Sequence, residues 1–523
     1  MSLFSFFIRK TKGLKILNRI KSWSSSRKLI STILCYILWA LAYPPFVLGP
    51  LVLFLFVPLF LITQSLTKKQ AFYYHFIGGF FYNAIMYYWL YHVMKVGPAL
   101  IILSGVLLGV SVLSLLNGYI GLWMKYLENK RGGLFLFALF WVGFEVARTK
   151  GQMSFPWNHL GYTLGGHLSV IQISSWIGVF GLSLLIMGSN VWIVKCLSIQ
   201  KYKSLWMGLL LWVGVLVYGW SQLNRVYPES VKKADIALVQ PAVQQTKKWG
   251  LDYYNNVIAQ TYGVMDTADL ENADLVILAE TAVPTLFKYM AETKNELKQK
   301  AVELNSNILV GSLDYEPMDH PVRKRKFFNS AFLLSSKAIE PMKQYSKIHL
   351  VPFSERLPFD NIFPVINYVD LGEGDFAPGD GIKLWGDSFK YSPSICYEVV
   401  YPQYVRRVKA AGAELLVNIT NDGWFGDSPA PYQHANICKF RAIEAGIPIA
   451  RCANSGISLF YDMHGRTLAK TKLFERTVLR REIPLISRDT FYYRIGDMWE
   501  GFLFWFWVCI HFWPLLMWFK ERK

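Results

Sequence analysis

The chain has 523 residues, of which 53% are hydrophobic and 17% are charged, and its formal net charge is +19. It is too apolar for an ordinary soluble protein and is long enough for more than one domain. Nucleic-acid binding is disfavoured, because the positive residues cluster beside apolar runs and the more polar part of the sequence lacks a basic stripe with interleaved aromatic residues.

Apolar runs of membrane-spanning length fill the first 221 residues, and one more lies near the end of the chain. A helix needs roughly 20 apolar residues to cross a bilayer, so we expect a membrane α-helical bundle of about eight spans. Glu145 lies in the fifth run and is expected to face the bundle interior. The runs cover residues 29–47, 48–66, 71–94, 99–124, 133–148, 167–194, 204–221 and 501–519.

Lysine and arginine clusters between these runs predict the orientation of the chain. If the amino end is cytoplasmic, the clusters at 68–69, 125–131, 195–203 and 520–523 all lie on the cytoplasmic side, as such residues usually do. The large polar segment is then extracytoplasmic, and periplasmic in a cell with two membranes. The predicted localisation is the cytoplasmic (inner) membrane, with several crossings.

From Ala234 onward, short β-like runs alternate with helical stretches, which predicts an α/β fold. We therefore expect three parts: a helical bundle at 1–222, a catalytic domain at 223–496, and a final span with a cytoplasmic tail at 497–523. The predicted strands are 234–239, 275–279, 308–312, 330–334, 388–395, 414–419, 447–453 and 457–461, and the predicted helices are 253–265, 294–304, 402–411 and 432–445.

The six cysteines are scattered and show neither CxxC nor Cys/His metal-ligand spacing. We expect no structural disulfide framework, no metal and no organic cofactor. Cys438 and Cys452 remain a possible pair in an oxidising compartment, although burial of two unpaired thiols is favoured.

Three residues in separate segments together predict an acyl-transfer site. Cys396 follows a short strand and precedes a helix, so its thiol lies on a turn that exposes a nucleophile. Glu280 ends an apolar strand and would take the proton of the thiol as a general base. Lys347 lies in an apolar loop and would stabilise the oxyanion. Taken singly, the cysteine would be a buried hydrophobe and the other two would be surface charges; their joint occurrence favours catalysis.

In their local contexts, Glu280, Lys347 and Cys396 resemble the Glu-Lys-Cys triad of the nitrilase (carbon-nitrogen hydrolase) superfamily. The segments 345–355, 395–398 and 421–426 more narrowly resemble the apolipoprotein N-acyltransferase family, and so do Phe155-Pro156-Trp157 and the chain's layout. The resemblance covers nearly the whole length. It implies a nitrilase-like four-layer α-β-β-α sandwich joined to the membrane bundle.

The resemblance also implies roles for neighbouring residues. Glu355 would orient Lys347, while Tyr397 and Glu398 would shape the pocket after the nucleophile. Lys347 and the Tyr397 backbone N–H would stabilise the tetrahedral intermediate. His349 and His434 invite a Cys-His pairing instead, which the Glu-Lys pair disfavours.

Four aromatic residues are candidates for substrate contacts. Trp249 and Trp424 lie in contexts similar to the family's acyl-chain or substrate contacts, with ordinary packing as the alternative. Phe359 and Phe363 belong to the apolar, proline-broken segment 351–369, which would suit a lid that admits an acyl chain or would simply pack on the domain. The connection 148–166 is expected either to underlie the catalytic domain or merely to place Trp157 at the membrane interface.

The residues alone imply acyl transfer through a thioester beside a membrane. The resemblance implies the substrates: a phospholipid acyl donor, and a diacylated apolipoprotein whose amino-terminal diacylglyceryl-cysteine accepts the chain. A membrane-tethered amidase or nitrilase with the same triad is one alternative. A non-catalytic membrane scaffold or transporter is another, disfavoured by the intact triad and by the few charges within the spans.

Overall fold

The computed structural model describes residues 15–93, 99–128, 130–245, 248, 253–318, 325–360, 362 and 375–521. Its chain forms two compact units. The first comprises Met1–Thr149, Asn158–Asn224 and Ile495–Lys523, and the second comprises Lys150–Trp157 and Arg225–Arg494.

Helices make up the first unit, and four further helices belong to the second. In chain order they are α1 (Lys15–Lys21), α2 (Ser25–Ala40), α3 (Val52–Gln64), α4 (Lys68–Tyr87), α5 (Leu90–Val93), α6 (Ala99–Leu127), α7 (Gly133–Ala147), α8 (Leu168–Ile171), α9 (Ser174–Ser198), α10 (Leu205–Leu223), α11 (Tyr254–Met265), α12 (Ala291–Glu303), α13 (Pro402–Ala410), α14 (Pro429–Ala445) and α15 (Phe491–Glu521).

Three helical segments of the described residues are long and apolar enough to cross a membrane: Leu103–Leu127, Ser174–Ser198 and Tyr202–Leu223. Two further apolar helices are shorter, Gly49–Gln64 and Gly133–Ala147. Others, such as α4, are diluted by lysines at their start and by polar residues along their length. The helical membrane region is therefore present, whereas the count of eight spans stays a prediction.

Glu145 lies inside the first unit, as expected for a carboxylate in an apolar run. Its side chain is 3% exposed, and it accepts hydrogen bonds from the Leu160 backbone N–H at 2.7 Å and the Trp141 indole N–H at 3.1 Å. These bonds offset part of the cost of removing the carboxyl group from water.

Strands of the second unit form two sheets. In chain order they are β1 (Lys233–Gln240), β2 (Leu275–Leu278), β3 (Val283–Leu286), β4 (Asn307–Pro317), β5 (Arg325–Leu334), β6 (Lys343–Ser346), β7 (Tyr391–Ile395), β8 (Leu415–Thr420), β9 (Ile449–Ala453), β10 (Leu459–Tyr461), β11 (Thr467–Lys470) and β12 (Thr477–Pro484).

The first sheet has the strand order β12-β1-β2-β4-β5-β6, with β3 pairing to β4, and the second has the order β11-β10-β9-β8-β7. Strands β1, β2 and β4 are parallel, and so are β7, β8 and β9. Strand β5 is antiparallel to both β4 and β6, so β6 runs parallel to β4. Pro393 is tolerated in β7 because β7 is an edge strand, where a missing N–H need not break a central ladder.

A buried core between the two sheets contains side chains from both of them, including Ile277 and Leu309 from the first and Ile395 and Val417 from the second. A second core lies between the first sheet and helices α11 and α12 and includes the fully buried Leu297. Helices α13 and α14 belong to the same unit as the second sheet. Each fully buried aliphatic side chain contributes about 1.5–3 kcal/mol. The expected α/β fold of this unit is confirmed.

All eight predicted strands and all four predicted helices of this unit are present, with ends that differ by a few residues. Four strands were not predicted: β3, β6, β11 and β12. Strands β6, β11 and β12 lie at sheet edges and β3 pairs on only one side. They are short or rich in polar residues, so they lack the continuous apolar run that marks a buried parallel strand.

Gly311 of β4 supports the turn that presents Glu280. A Cβ added there would lie 2.5 Å from the Ala279 carbonyl oxygen and 2.7 Å from the Glu280 Cα. We expect Gly311→Ala to destabilise the protein by about 1–3 kcal/mol, because backbone must move to admit the methyl group. Thermal unfolding of the detergent-solubilised chain measures this change.

Gly263→Ala is the matched control. Gly263 lies in α11, where an added Cβ would meet no heavy atom within 4 Å. Alanine is the better helix former by about 0.5–1 kcal/mol, so this substitution should leave the melting temperature unchanged or raise it. An unchanged melting temperature in Gly311→Ala would contradict the close approach.

Candidate active site

The three candidate catalytic residues follow the carboxyl ends of three strands. Glu280 follows β2, Lys347 follows β6 and Cys396 follows β7. Strands β2 and β6 run parallel within the first sheet, so their carboxyl ends lie at the same edge. Open α/β sheets bind their ligands at such edges.

Lys347 lies between two carboxylates in the protein interior. Its side chain is 1% exposed, and Nζ lies 2.7 Å from Glu355 Oε1 and 3.7 Å from Glu280 Oε1. Burial by itself lowers the pKa of an ammonium group, but the neighbouring carboxylates of Glu355 and Glu280 outweigh it and raise the pKa of Lys347. The ammonium group is therefore charged at neutral pH and can stabilise a developing oxyanion.

Glu280 is held at both carboxylate oxygens. Oε1 accepts a hydrogen bond of 2.8 Å from Asn329 Nδ2, and Oε2 accepts one of 2.7 Å from the Asn421 backbone N–H. Asn329 also donates to Glu355 Oε1 at 3.1 Å, so one amide group fixes the two carboxylates relative to each other. Such fixed partners restrict the position of a general base.

Cys396 begins a short 3-10 helix, Cys396–Val400, directly after β7. Its φ is +50°, a left-handed conformation that is uncommon for a residue other than glycine. Burial, and then the Glu280 carboxylate, raise the pKa of the Cys396 thiol, although Lys347 opposes them. The thiol is thus protonated at neutral pH, and a base must take its proton before the sulfur can attack.

Glu398 joins the loop of Lys347 to the turn of the nucleophile. It is fully buried, and its Oε1 accepts hydrogen bonds from the backbone N–H groups of Ile348 at 2.7 Å and His349 at 3.2 Å. Its Oε2 accepts one of 2.7 Å from the Ile395 N–H. Burial raises the pKa of Glu398 to about 7. This carboxyl group is a structural clamp between the two segments.

Glu355 closes the loop that carries Lys347. Besides the ion pair with Lys347, its Oε2 accepts a hydrogen bond of 2.9 Å from the Val351 backbone N–H. The carboxylate therefore holds the ammonium group and the loop backbone together. This geometry is what orientation of Lys347 by Glu355 requires.

Tyr397 packs against the segment Lys150–Trp157, which belongs to the second unit although helices of the first unit flank it in sequence. Its ring stacks near Phe155 and Trp157, with ring centroids 6.3 Å and 6.4 Å apart. Its hydroxyl donates to the Ser154 carbonyl oxygen at 3.2 Å. The segment thus covers the residue that follows the nucleophile.

The candidate substrate-contact residues are only partly described. Trp424 is half-buried in the 3-10 helix Asp422–Phe425, which directly follows the Asn421 N–H that binds Glu280. Phe359 is 38% exposed, and its backbone N–H donates to Gln152 Oε1. Trp249 and Phe363 lie outside the described residues.

The two histidines do not form a Cys-His pair through sulfur in the described contacts. His434 Nε2 lies 3.3 Å from the Cys396 carbonyl oxygen, and His349 stacks on Tyr401 with ring centroids 4.5 Å apart. Cys438 and Cys452 are both buried free thiols. Among the described residues, no three His, Cys, Asp or Glu side chains are grouped to hold a metal ion.

Several residues that shape the site were missed in the sequence. Asn329 lies on β5, one residue before the predicted strand began, and its register places it opposite Leu313 in the middle of β4. Lys248 is buried and donates to the Glu280 carbonyl oxygen at 3.1 Å. A single polar residue beside an apolar run was the only available signal for Asn329.

The Tyr345 hydroxyl donates to Glu398 at 2.7 Å and lies 2.9 Å from the Tyr404 hydroxyl. We expect Tyr345→Phe to lower the stability by about 1.5–3 kcal/mol, because a buried hydrogen bond to a carboxyl group is lost. Thermal unfolding of the purified chain measures the difference.

Tyr391→Phe is the matched control for Tyr345→Phe. Tyr391 is equally buried, but its hydroxyl has no hydrogen-bond partner within the part of the chain that the structure describes. Its removal should leave the melting temperature nearly unchanged. Equal shifts in the two variants would contradict the role assigned to the Tyr345 hydroxyl.

Two family models match this chain. The carbon-nitrogen hydrolase model matches residues 235–491, and the model of the apolipoprotein N-acyltransferase N-terminal domain matches residues 37–192. Among solved structures, an amidase of the nitrilase superfamily from Nesterenkonia AN1 is similar at 17% identity over 53% of this chain and 100% of that chain, with a TM-score of 0.36.

Curated relatives match nearly the whole length. The apolipoprotein N-acyltransferase of Geobacter metallireducens is 33% identical over 92% of this chain and 93% of its own length. That of Haemophilus influenzae is 29% identical over 92% of this chain and 94% of its own length. With both halves matched in this order, the chain belongs to the apolipoprotein N-acyltransferase family.

Proposed function

We propose that this enzyme moves an acyl chain from a phospholipid to the amino-terminal diacylglyceryl-cysteine of an apolipoprotein, by a ping-pong mechanism with a thioester on Cys396. Glu280 is the general base, Lys347 stabilises the oxyanion and Cys396 is the nucleophile. Family membership supports the overall reaction, and the arrangement of charges supports the mechanism.

The observation that carries the proposal is the buried ion cluster around Lys347. A charged ammonium lies 3.7 Å from the Glu280 carboxylate, and these two charges act in opposite directions on the pKa of the buried Cys396 thiol. Each of the three tasks in acyl transfer then has a side chain: Glu280 removes the proton, Cys396 attacks and Lys347 stabilises the oxyanion. A purely structural ion pair would not need a cysteine in a left-handed turn beside it.

In the first half-reaction, Glu280 takes the Cys396 proton as the sulfur attacks the ester carbonyl of the phospholipid. Lys347 and the Tyr397 backbone N–H stabilise the oxyanion of the tetrahedral intermediate. The intermediate collapses with cleavage of the bond to the glycerol oxygen, which takes the proton from Glu280. The products are an acyl thioester on Cys396 and a lysophospholipid.

In the second half-reaction, the neutral α-amino group of the acceptor attacks the thioester carbonyl. Glu280 removes a proton from the attacking nitrogen, and the same two groups stabilise the second oxyanion. Collapse forms the amide bond and expels the Cys396 sulfur, which recovers the proton from Glu280. The enzyme returns to its starting state without any outside reactant.

The proposed location is the cytoplasmic membrane, crossed about eight times, with the catalytic domain 223–496 on the extracytoplasmic side. The three long apolar helical segments support a membrane location, and the distribution of lysine and arginine clusters supports this orientation. Both proposed substrates are amphiphiles that reside in a bilayer, so a membrane-bound enzyme meets them at high local concentration.

We assign the acyl-chain path to the apolar segment 351–369. In its described part, Phe353 is 57% exposed, Phe359 38% and Ile362 63%. Exposed apolar side chains beside the loop of Lys347 are suited to contact with a fatty chain. Trp249, Trp424 and Phe363 belong to the same proposed set of substrate contacts.

An amidase with the same triad would pass its acyl group to water. The two reactions are separated by incubating the enzyme with phospholipid and a diacylglyceryl peptide and analysing the peptide by mass spectrometry. Acyl transfer predicts an N-acylated peptide, whereas free fatty acid as the only product would support hydrolysis. A scaffold without catalysis would yield neither product.

Intact-mass analysis tests the proposed intermediate. Purified enzyme exposed to phospholipid should gain the mass of one acyl group, because no acceptor is present to take the acyl group from the thioester. We expect Cys396→Ala to lose the adduct completely.

Cys509→Ala is the control, because Cys509 is a free and exposed cysteine of α15. It should retain the adduct. An adduct that persists in Cys396→Ala, or its absence from the wild-type enzyme, would contradict the thioester mechanism.

Phe359→Ser tests the acyl-chain path. We expect turnover of a long-chain phospholipid to fall by more than turnover of a short soluble thioester, because only the long chain reaches the apolar segment. The control is Ile339→Ser, an apolar residue that is 98% exposed and lies in another loop. Equal losses for both substrates in Phe359→Ser would count against the assignment.

A further inference from the structure

A buried guanidinium group lies behind the nucleophile turn and is not used in the reaction proposed above. Arg451 of β9 is 0% exposed. Its Nη2 donates to Asp422 Oδ2 at 2.7 Å, which pairs the two charges. Charged groups are rarely buried completely. A fully buried pair of charges therefore suggests that its hydrogen bonds hold neighbouring groups in place.

Arg451 also reaches Cys438, Asn418 and His434, and the last two contact the nucleophile's backbone. Nη1 donates to Asn418 Oδ1 at 2.6 Å, and Nη2 lies 3.0 Å from His434 Nδ1. Asn418 Nδ2 and His434 Nε2 each lie 3.3 Å from the Cys396 carbonyl oxygen. One guanidinium group thus orients two donors toward a single acceptor.

The contacts of His434 determine where its proton lies. Nε2 faces a carbonyl oxygen, which only accepts, so Nε2 carries hydrogen. Nδ1 faces the Arg451 N–H and is the acceptor of that bond in the neutral ring. Asp422 Oδ1 lies 3.1 Å from Nδ1, but it also accepts a hydrogen bond of 3.0 Å from Thr420 Oγ1. Burial and the Arg451 charge lower the pKa of His434, in agreement with a neutral ring.

The Cys396 carbonyl and the Tyr397 N–H belong to one peptide group. Because a trans peptide is planar, two hydrogen bonds that fix the carbonyl also fix the direction of the N–H on its opposite side. They polarise the group as well, which strengthens the N–H as a donor. The left-handed φ of +50° at Cys396 is uncommon and needs support from surrounding contacts.

We infer that Arg451, acting through His434 and Asn418, is a positioning residue that aims the Tyr397 N–H at the oxyanion of the acyl-transfer reaction. The inference rests on the proposed function, because it assigns a purpose to the oxyanion donor of that mechanism. His434 holds a hydrogen bond and transfers no proton. Both half-reactions pass through an oxyanion, so both depend on this network, whereas phospholipid binding does not.

A pair of amide substitutions at His434 tests the inference. His434→Gln can place an N–H donor near the position of Nε2, whereas His434→Asn reaches only the position of Nδ1. The rate of thioester formation is followed by intact mass at several phospholipid concentrations and several pH values. Loss of a single oxyanion donor slows a reaction by roughly a hundredfold to a thousandfold, so a misaimed donor should slow it by about tenfold to a hundredfold.

We expect His434→Asn to show this loss at saturating phospholipid, with an unchanged half-saturating concentration and an unchanged pH profile. His434→Gln should recover most of the rate. Equal losses in the two variants, or a shift of the pH profile, would overturn the inference, because the first indicates packing alone and the second indicates proton transfer.

Leu297→Ala controls for general destabilisation, since Leu297 is fully buried in the core around α12. It should lower the melting temperature without changing the rate per folded molecule. If the rate per folded molecule of His434→Asn equals that of the wild-type enzyme, so that the loss of rate only follows the loss of folded protein, the inference is wrong. A wild-type enzyme that forms no thioester would refute the proposed function itself, whereas a normal rate in His434→Asn would refute only the positioning role.

Discussion

The site depends on one buried positive charge. An ammonium group in the protein interior costs several kcal/mol unless it is paired, and Lys347 is paired with Glu355 at 2.7 Å and with Glu280 at 3.7 Å. Asn329 then holds both carboxylates. Because each member satisfies another, removal of one leaves a buried charge uncompensated, which costs about 3–5 kcal/mol. The catalytic geometry and the stability of this region are therefore coupled.

This arrangement explains why a base is needed beside the nucleophile. Burial, and then the Glu280 carboxylate, raise the pKa of the Cys396 thiol although the Lys347 ammonium lowers it. A permanently ionised thiolate would react with many electrophiles. A thiol that loses its proton only during attack on the substrate is unreactive toward them. Glu398 completes the arrangement, because it ties the loop of Lys347 to the turn of Cys396 through backbone N–H groups of both.

The sequence predicted those strands that form one continuous apolar run in the chain. The run before Glu280 and the run from 414 to 419 are continuous and buried, and both are strands. The edge strand β12 escaped prediction because it carries Arg480, Arg481 and Glu482 and needs only one apolar face.

The candidate triad was found in the sequence because each member lies in a short, distinctive segment. Its support was not, because Asn329, Asn418, Arg451 and His434 lie on four separate elements, β5, β8, β9 and α14, which come together only in the folded domain. An isolated arginine in the run 447–453 carries no local sign that it will be fully buried. Partners of this kind depend on tertiary structure.

The central claim is that the acyl chain rests covalently on the enzyme between two amphiphiles. Isotope exchange tests it most directly: the enzyme is incubated with phospholipid and isotopically labelled lysophospholipid, without any acceptor peptide. A thioester intermediate predicts that label enters the phospholipid pool, because the first half-reaction runs in both directions, and that Glu280→Gln abolishes this exchange. Exchange that begins only when the acceptor is added would contradict the account, since it would mean direct transfer between two substrates bound together.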